Sequence, residues 1–196
     1  GVGSEVVGLK VGDLVAMEPG VACEKCLRCL SGKYNLCKDM KFFATPPIDG
    51  SLATYVVHPA KYCFRIPDNL TVEHGALCEP LSVAVHGCNR AEINDQSSVL
   101  ILGSGPIGLV VLSTAHAYDA KKIIIADYNS ARLDFAQSLV PCETIHLQGL
   151  SPSDVALKVR STLAGDAPSV VFDCAGFESS MHTALLSARA GGEVVL

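Results

Sequence analysis

The sequence predicts an α/β protein in two parts, a partial, barrel-like all-β region followed by a parallel sheet with crossover helices. Three observations carry this expectation. Residues 1–66 are short alternating or apolar pieces, "DLVAME", "SLATYVVH" and "YCFRIP", punctuated by glycine and proline. From about residue 97 the texture changes to strand-like runs separated by helical stretches, the rhythm of βαβ units. A chain of 196 residues, 49% hydrophobic and 18% charged, can also bury a sizeable core in one large or two small domains.

Taken in chain order, strands are expected at 13–18, 51–58 and 62–67 in the first part. The join is expected to be a helix in "CEPLSVAVHGCNRA", which sets the domains at 1–91 and 92–196. Beyond it, strands at "SVLILG", "KIIIAD", "ETIHL", "SVVFD" and "EVVL" alternate with helices near 106–118, 130–139, 152–164 and 178–189. Two helix starts carry marks. Ser130 precedes "ARLDFAQSL" as a capping side chain, and Ser151 does the same ahead of Pro152, a residue suited to the first helical position.

Composition narrows the partners. Fifteen basic against twenty acidic residues give a formal charge of −5 with no block of like charge, so nothing favours a nucleic-acid backbone or an anionic membrane. A small-molecule partner is expected. No apolar run reaches the eighteen or so residues of a membrane span, and "GVGSEVVGLK" lacks the apolar core of a signal peptide. The nine cysteines are odd in number, and Cys63, Cys78, Cys88, Cys142 and Cys174 lie scattered in apolar segments, which fits a reducing, cytoplasmic compartment. The chain opens inside a strand-like pattern and stops at "GGEVVL" in the middle of an apolar run, so it reads as an internal fragment.

The segment "CEKCLRCLSGKYNLC" carries the first chemical signal. Cys23, Cys26, Cys29 and Cys37 have gaps of two, two and seven residues, and short gaps let successive thiolates of one loop turn toward one ion. With nine cysteines in 196 residues, chance would place three more at given positions roughly once in ten thousand. Four protein thiolates leave no open position for water or substrate, so a zinc here is structural. Two disulfides or free thiols are the alternative reading.

The second signal is "VLILGSGPIG", a strand running into Gly103, Ser104, Gly105, Pro106, Ile107 and Gly108 and then into a helix. The first glycine permits the tight turn, the second lets backbone N–H groups approach a pyrophosphate, and the third allows close packing of helix on strand. The next strand ends in Asp127, nineteen residues after Gly108, where a carboxylate can accept from both adenosine ribose hydroxyls and repel a 2′-phosphate. NAD is therefore favoured over NADP. Arg132 lies along the adenine end or on a solvated helix face.

A four-cysteine loop in a β region ahead of a dinucleotide fold resembles the zinc-containing medium-chain dehydrogenase/reductase superfamily. The stretches "AMEPGVAC", "GKYNLC", "KFFATPPIDGSL" and "GALCEPLSVAVHGC" resemble its polyol branch. The resemblance implies a partial GroES-like β-barrel catalytic domain followed by a partial Rossmann-type NAD-binding domain. It implies a second, catalytic zinc held by a cysteine, by the His-Glu pair of a "GHE" motif and by a glutamate of "EPLSV". Only the last maps here, onto Glu79, with the others expected upstream of Gly1, so the chain alone is expected not to turn over. Glu79 sits among apolar residues, where an unpaired carboxylate is costly, so a partner is expected for it. A carboxylate at a helix start is its plainer reading.

The resemblance further assigns Phe42 and Thr45 to the substrate cleft, although a turn before Pro46 and Pro47 would also account for them. It brings Asp173, Cys174, Ala175 and Gly176 beside the nicotinamide. Cys78 reads as a packing residue and His86 as buried or hinge-facing, and the other five histidines have no ligand-like company. Two departures stand out: Leu14 replaces a frequent arginine, and "SLVPCE" replaces the usual "LGAD" turn. The implied activity is oxidation of a sorbitol-like polyol to a ketose with NAD, by a homodimer or homotetramer. Xylitol, L-arabinitol or a threonine-like amino alcohol are alternative substrates, and a zinc- and NAD-binding protein without turnover is an alternative class.

Overall fold

Four short strands organise the first unit, Gly1–Glu79, as two antiparallel pairs. They are β1 (Val15–Met17), β2 (Gly20–Val21), β3 (Lys41–Phe42) and β4 (Cys63–Arg65). In the computed structural model, which describes all 196 residues, β1 pairs with β4 from Val15 opposite Arg65 to Met17 opposite Cys63, and β2 pairs with β3. The apolar interior of this unit is small, with Ala22, Cys37, Tyr62 and Ile66 as its buried hydrophobic residues. The strand expected at 51–58 does not form: Leu52, Tyr55 and Val57 are exposed. An extended segment becomes a strand only where a neighbour takes its N–H and C=O groups, and no segment of this chain pairs with it.

One short helix, α1 (Leu27–Leu30), lies inside the cysteine loop. A long one, α2 (Val72–Arg90), begins earlier than "CEPLSV" suggested and spans the division between residues 79 and 80. Ala84 and Cys88 are its buried residues.

The second unit, Pro80–Leu196, is built on a five-stranded parallel sheet. Its elements are β5 (Ser98–Leu102), α3 (Pro106–Ala117), β6 (Lys122–Asp127), α4 (Ser130–Leu139), β7 (Glu143–His146), α5 (Pro152–Thr162), β8 (Val170–Asp173), α6 (Glu178–Ser187) and β9 (Glu193–Val195). Strand order is β7-β6-β5-β8-β9. Because side chains alternate along a strand, β5 sends Val99 and Ile101 to one face and Leu100 and Leu102 to the other. The first face packs with Ala84 and Cys88 of α2, Val111 and Leu112 of α3, and Leu133 of α4. The second packs with Val155 and Val159 of α5 and Ala184 of α6. Burial on both faces is why these strands read as continuous apolar runs in the sequence.

The helix starts hold one correction. Ser151 caps α5 in a full capping box: its hydroxyl accepts from Asp154 N–H at 3.2 Å while its own N–H donates to the Asp154 carboxylate at 3.0 Å. At α4 the cap is Asn129 instead of Ser130, which is the first helical residue. Asn129 is in the extended conformation, and its side-chain oxygen accepts from Arg132 N–H at 3.2 Å.

Ile125 is fully buried in β6, whereas Leu157 on α5 is 66% exposed. Ile125→Ala is expected to lower stability by about 2–5 kcal/mol, and Leu157→Ala by no more than about 0.5 kcal/mol. Urea unfolding midpoints of the two variants provide the check.

Candidate metal centre and dinucleotide cleft

The four loop cysteines converge. Cys23 follows β2, Cys26 is the cap of α1, Cys29 lies within α1, and a single 3-10 turn at Tyr34–Leu36 delivers Cys37. Their sulfurs all lie within 4.8 Å of one another. Individual separations are 3.9 Å for Cys23–Cys29, 3.4 Å for Cys26–Cys29 and 4.0 Å for Cys26–Cys37. Zinc–thiolate bonds of about 2.3 Å in a tetrahedron place sulfurs about 3.8 Å apart, so the cage matches one such ion. None of the nine cysteines forms a disulfide.

The thiols are electrostatically unequal. The backbone N–H of Cys29 pulls Cys26 down to about 7, whereas desolvation and then the neighbouring thiols push Cys29 up to about 12. Four thiolates this close repel one another unless a cation sits among them.

A separate cleft of about 280 Å³ opens at the C-terminal ends of β5, β6 and β8. The strand order reverses between β5 and β8, and ligands of open α/β sheets bind at such a switch point. Gly103, with φ of +98°, turns the chain out of β5. A Cβ on Gly108 would lie 1.9 Å from the Gly103 carbonyl oxygen, so only glycine permits this approach of α3 to the loop. A Cβ on Gly105 would meet nothing within 4 Å. Gly105 starts α3 without a side-chain cap, which leaves the first N–H groups of the helix open to an anion. Pro106 and Ile107 form the exposed first turn.

Asp127 closes the loop from β6. Its carboxylate accepts from Ser104 N–H at 2.6 Å and from Asn129 N–H at 2.8 Å. Burial acts to raise its pKa, but these two amides, assisted by the Arg132 charge, outweigh burial and hold it below the usual carboxylate value. Each oxygen keeps a second lone pair for a ligand hydroxyl. Across the switch point, Asp173 ends β8 and accepts from the N–H groups of Ala175 and Gly176, both at 3.0 Å, while Ser180 donates to its other oxygen at 2.9 Å. This fixes the turn that carries Cys174, whose thiol is pushed up to about 12, first by desolvation and then by Asp173 and Cys88. Gly103, Gly105, Asp127, Arg132, Cys174 and Ala175 all line the cleft, and Gly176 is exposed beside it.

Other expected residues fall differently. Glu79 lies within α2, exposed and without a hydrogen bond or ion pair, so neither the apolar setting nor the partner expected for it is present. Cys78 is exposed rather than packed, with its thiol directed to the His74 carbonyl at 3.5 Å, and His86 is exposed rather than buried. Phe42 lies in β3 opposite Gly20, and Thr45 lies in the exposed turn that follows. Sequence reasoning missed Tyr128, Leu147, Leu150, Phe177 and Thr183, which also line the cleft. The signal for Tyr128 and Leu147 was their place just past the ends of β6 and β7, where a parallel sheet gathers its ligand contacts.

Two outcomes follow from this geometry. Gly108→Ala is expected to cost about 3 kcal/mol or more, whereas Gly105→Ala stays within about 0.5 kcal/mol, as thermal or urea unfolding would register. Asp127, with a folded-state pKa below its unfolded value, contributes stability that is complete above about pH 4 and is lost as pH falls through the folded value. Asp127→Asn is therefore expected to be less stable than the parent by about 1.5–3 kcal/mol at pH 7, with the gap narrowing below about pH 4 in paired urea titrations.

Comparison with known proteins bears on both sites. The profile of the alcohol dehydrogenase GroES-like domain matches residues 1–68, and that of the zinc-binding dehydrogenases matches residues 106–196. A sorbitol dehydrogenase of Arabidopsis thaliana is 49% identical over 197 residues, covering 100% of this chain and 54% of that protein. An L-idonate 5-dehydrogenase of Vitis vinifera is 49% identical over 199 residues, with the same shares. Among solved structures, an oxidoreductase/dehydrogenase of unknown specificity from Escherichia coli superposes with a TM-score of 0.94 at 33% identity, over 100% of this chain and 56% of that one. The chain thus spans about half the length of the curated relatives it matches. With both halves matched and the fold shared throughout, the chain belongs to the zinc-containing medium-chain dehydrogenase/reductase superfamily.

Proposed function

We propose that the protein oxidises a secondary hydroxyl of a sorbitol-like polyol to a ketose with NAD. We also propose that Cys23, Cys26, Cys29 and Cys37 hold a structural zinc. The carrying observation is the convergence of Gly103, Gly105 and Asp127 on one cleft at the strand-order reversal. Family membership and the sorbitol dehydrogenase at 49% identity support the reaction class. The equally similar L-idonate 5-dehydrogenase leaves the polyol itself open, as do xylitol, L-arabinitol and threonine-like alternatives. We read the domains as 1–91 and 92–196.

Each residue has a role in this reading. The loop from Gly103 to Gly108 binds the cofactor's pyrophosphate against the start of α3, with Pro106 and Ile107 supplying its first turn. Asp127 takes the adenosine ribose hydroxyls and repels a 2′-phosphate, and Arg132 flanks the adenine end. Cys174, Ala175 and Gly176 border the nicotinamide, which when bound supplies the hydride acceptor. Phe42 and Thr45 line the substrate side. Glu79 would orient or complete the ligand set of a catalytic zinc, which in the family pattern also takes a cysteine and a "GHE" pair. Such a zinc, when bound, would supply Lewis acidity toward the substrate hydroxyl. These 196 residues contain one ligand of that set and are not expected to turn over alone.

No helix is long and apolar enough to cross a membrane. The odd count of nine cysteines, five of them scattered in apolar segments, favours a reducing compartment such as the cytoplasm. A homodimer or homotetramer is the expected assembly.

The test extends the chain to its relatives' full length and follows NADH formation on a polyol panel, with zinc measured by elemental analysis. Turnover on a polyol with two zinc ions per subunit is expected. NAD binding without turnover on any polyol would favour a binding protein instead.

A further inference from the structure

The zinc loop is fastened from outside by one side chain that the cysteine motif does not contain. Tyr62, in the 3-10 turn at Ala60–Tyr62, is only 8% exposed, although the unit around it buries little else. Its hydroxyl accepts from Ala22 N–H at 3.3 Å and donates to the Glu24 carboxylate at 3.1 Å. Its backbone carbonyl accepts from Glu18 N–H at 2.8 Å. One residue thus holds the chain at three points, two ahead of Cys23 and one just after it.

Glu24 makes this grip consequential. It lies between Cys23 and Cys26 with φ of +63°, a left-handed conformation that disfavours a residue with a Cβ. Residues persist in such conformations only where their surroundings over-determine them. Here the Tyr62 hydroxyl and an ion pair from Lys61 converge on the same Glu24 oxygen, and the Lys61 ammonium also lies 4.9 Å from the centre of the Tyr62 ring. The bend at Glu24 turns the chain between the first two cysteines. A second phenol lies in the same loop: the Glu18 carboxylate pushes the pKa of Tyr34, between Cys29 and Cys37, upward.

We propose that Tyr62 is a positioning residue for the metal cage, holding Glu24 in its left-handed bend so that the sulfurs of Cys23 and Cys26 converge on the ion. The inference rests on the reading of the four cysteines as a zinc site. Outer partners that orient metal ligands typically change affinity by about 10–100-fold when removed.

The zinc-loaded 196-residue chain is titrated with a chromogenic chelator, and cobalt substitution reports the thiolate-to-metal charge-transfer band. Tyr62→Phe is expected to weaken zinc binding by about tenfold while the cobalt band keeps four-thiolate intensity. Glu24→Ala, which leaves Tyr62 intact, is expected to weaken it similarly. The double variant is expected to be no weaker than either single change, because both break one linkage. Glu24→Gln keeps an acceptor and is expected to bind close to parental strength. Parental affinity in both Tyr62→Phe and Glu24→Ala would overturn the proposal. A parent chain that takes up no zinc would overturn the reading of the cage itself, and that failure shows before any variant is made.

Discussion

The dinucleotide unit depends on one close approach, the α-carbon of Gly108 against the carbonyl of Gly103. A single added methyl there would lie 1.9 Å from that oxygen. Because nothing intervenes, α3 begins directly over the end of β5, and its unpaired N–H groups face the cleft. The same tight loop exposes Ser104 N–H to Asp127, so the neighbouring strand fastens the turn with a charge-assisted hydrogen bond of 2.6 Å. On the other side, a Cβ at Gly103 would press on the backbone of Cys174 and Ala175 at 3.2 Å, which couples the loop to the turn after β8. Helix start, carboxylate and β8 turn thus all meet at Gly103 and Ser104.

The other unit is organised on a different principle. Its short strand pairs and few buried residues give little apolar stabilisation, and small domains of this kind rely on a staple. Four thiols at tetrahedral separations provide the place for one. On the proposed reading, bound metal contributes folding free energy that the sparse core does not, on the order of 10 kcal/mol for structural zinc. This accounts for a loop with Leu27, Leu30 and Leu36 exposed that nevertheless holds a defined path.

The second unit was legible in the sequence almost element by element, because doubly covered strands leave continuous apolar runs and two of the helices between them, α4 and α5, begin at side-chain caps. Where Ser130 was read for Asn129, two adjacent capping residues competed and only the backbone conformation chose between them. The cysteine cage and the glycine loop were legible because their chemistry depends on spacing within one short segment. The rest of the site was less so. Tyr128, Leu147 and Phe177 reach the cleft from three different loops, and only the strand order brings those loops together. "SLATYVVH" has a strand's alternation, but alternation describes a face to be buried and does not supply the partner strand. Glu79 was expected in an apolar setting because its neighbours in sequence are apolar, yet Leu77, Cys78 and Leu81 are themselves exposed and form no such setting around it.

On the proposed reading, the open space beside Gly105 receives a cofactor's pyrophosphate. Isothermal titration of NAD and NADP into the chain and into Gly105→Val tests it most directly, since the new side chain has room to fold but none to share. The parent is expected to bind NAD at least about tenfold more tightly than NADP, a difference of about 1.4 kcal/mol. Gly105→Val is expected to unfold like the parent but to bind neither. Undiminished NAD binding by that variant, or a parent that prefers NADP, would contradict it.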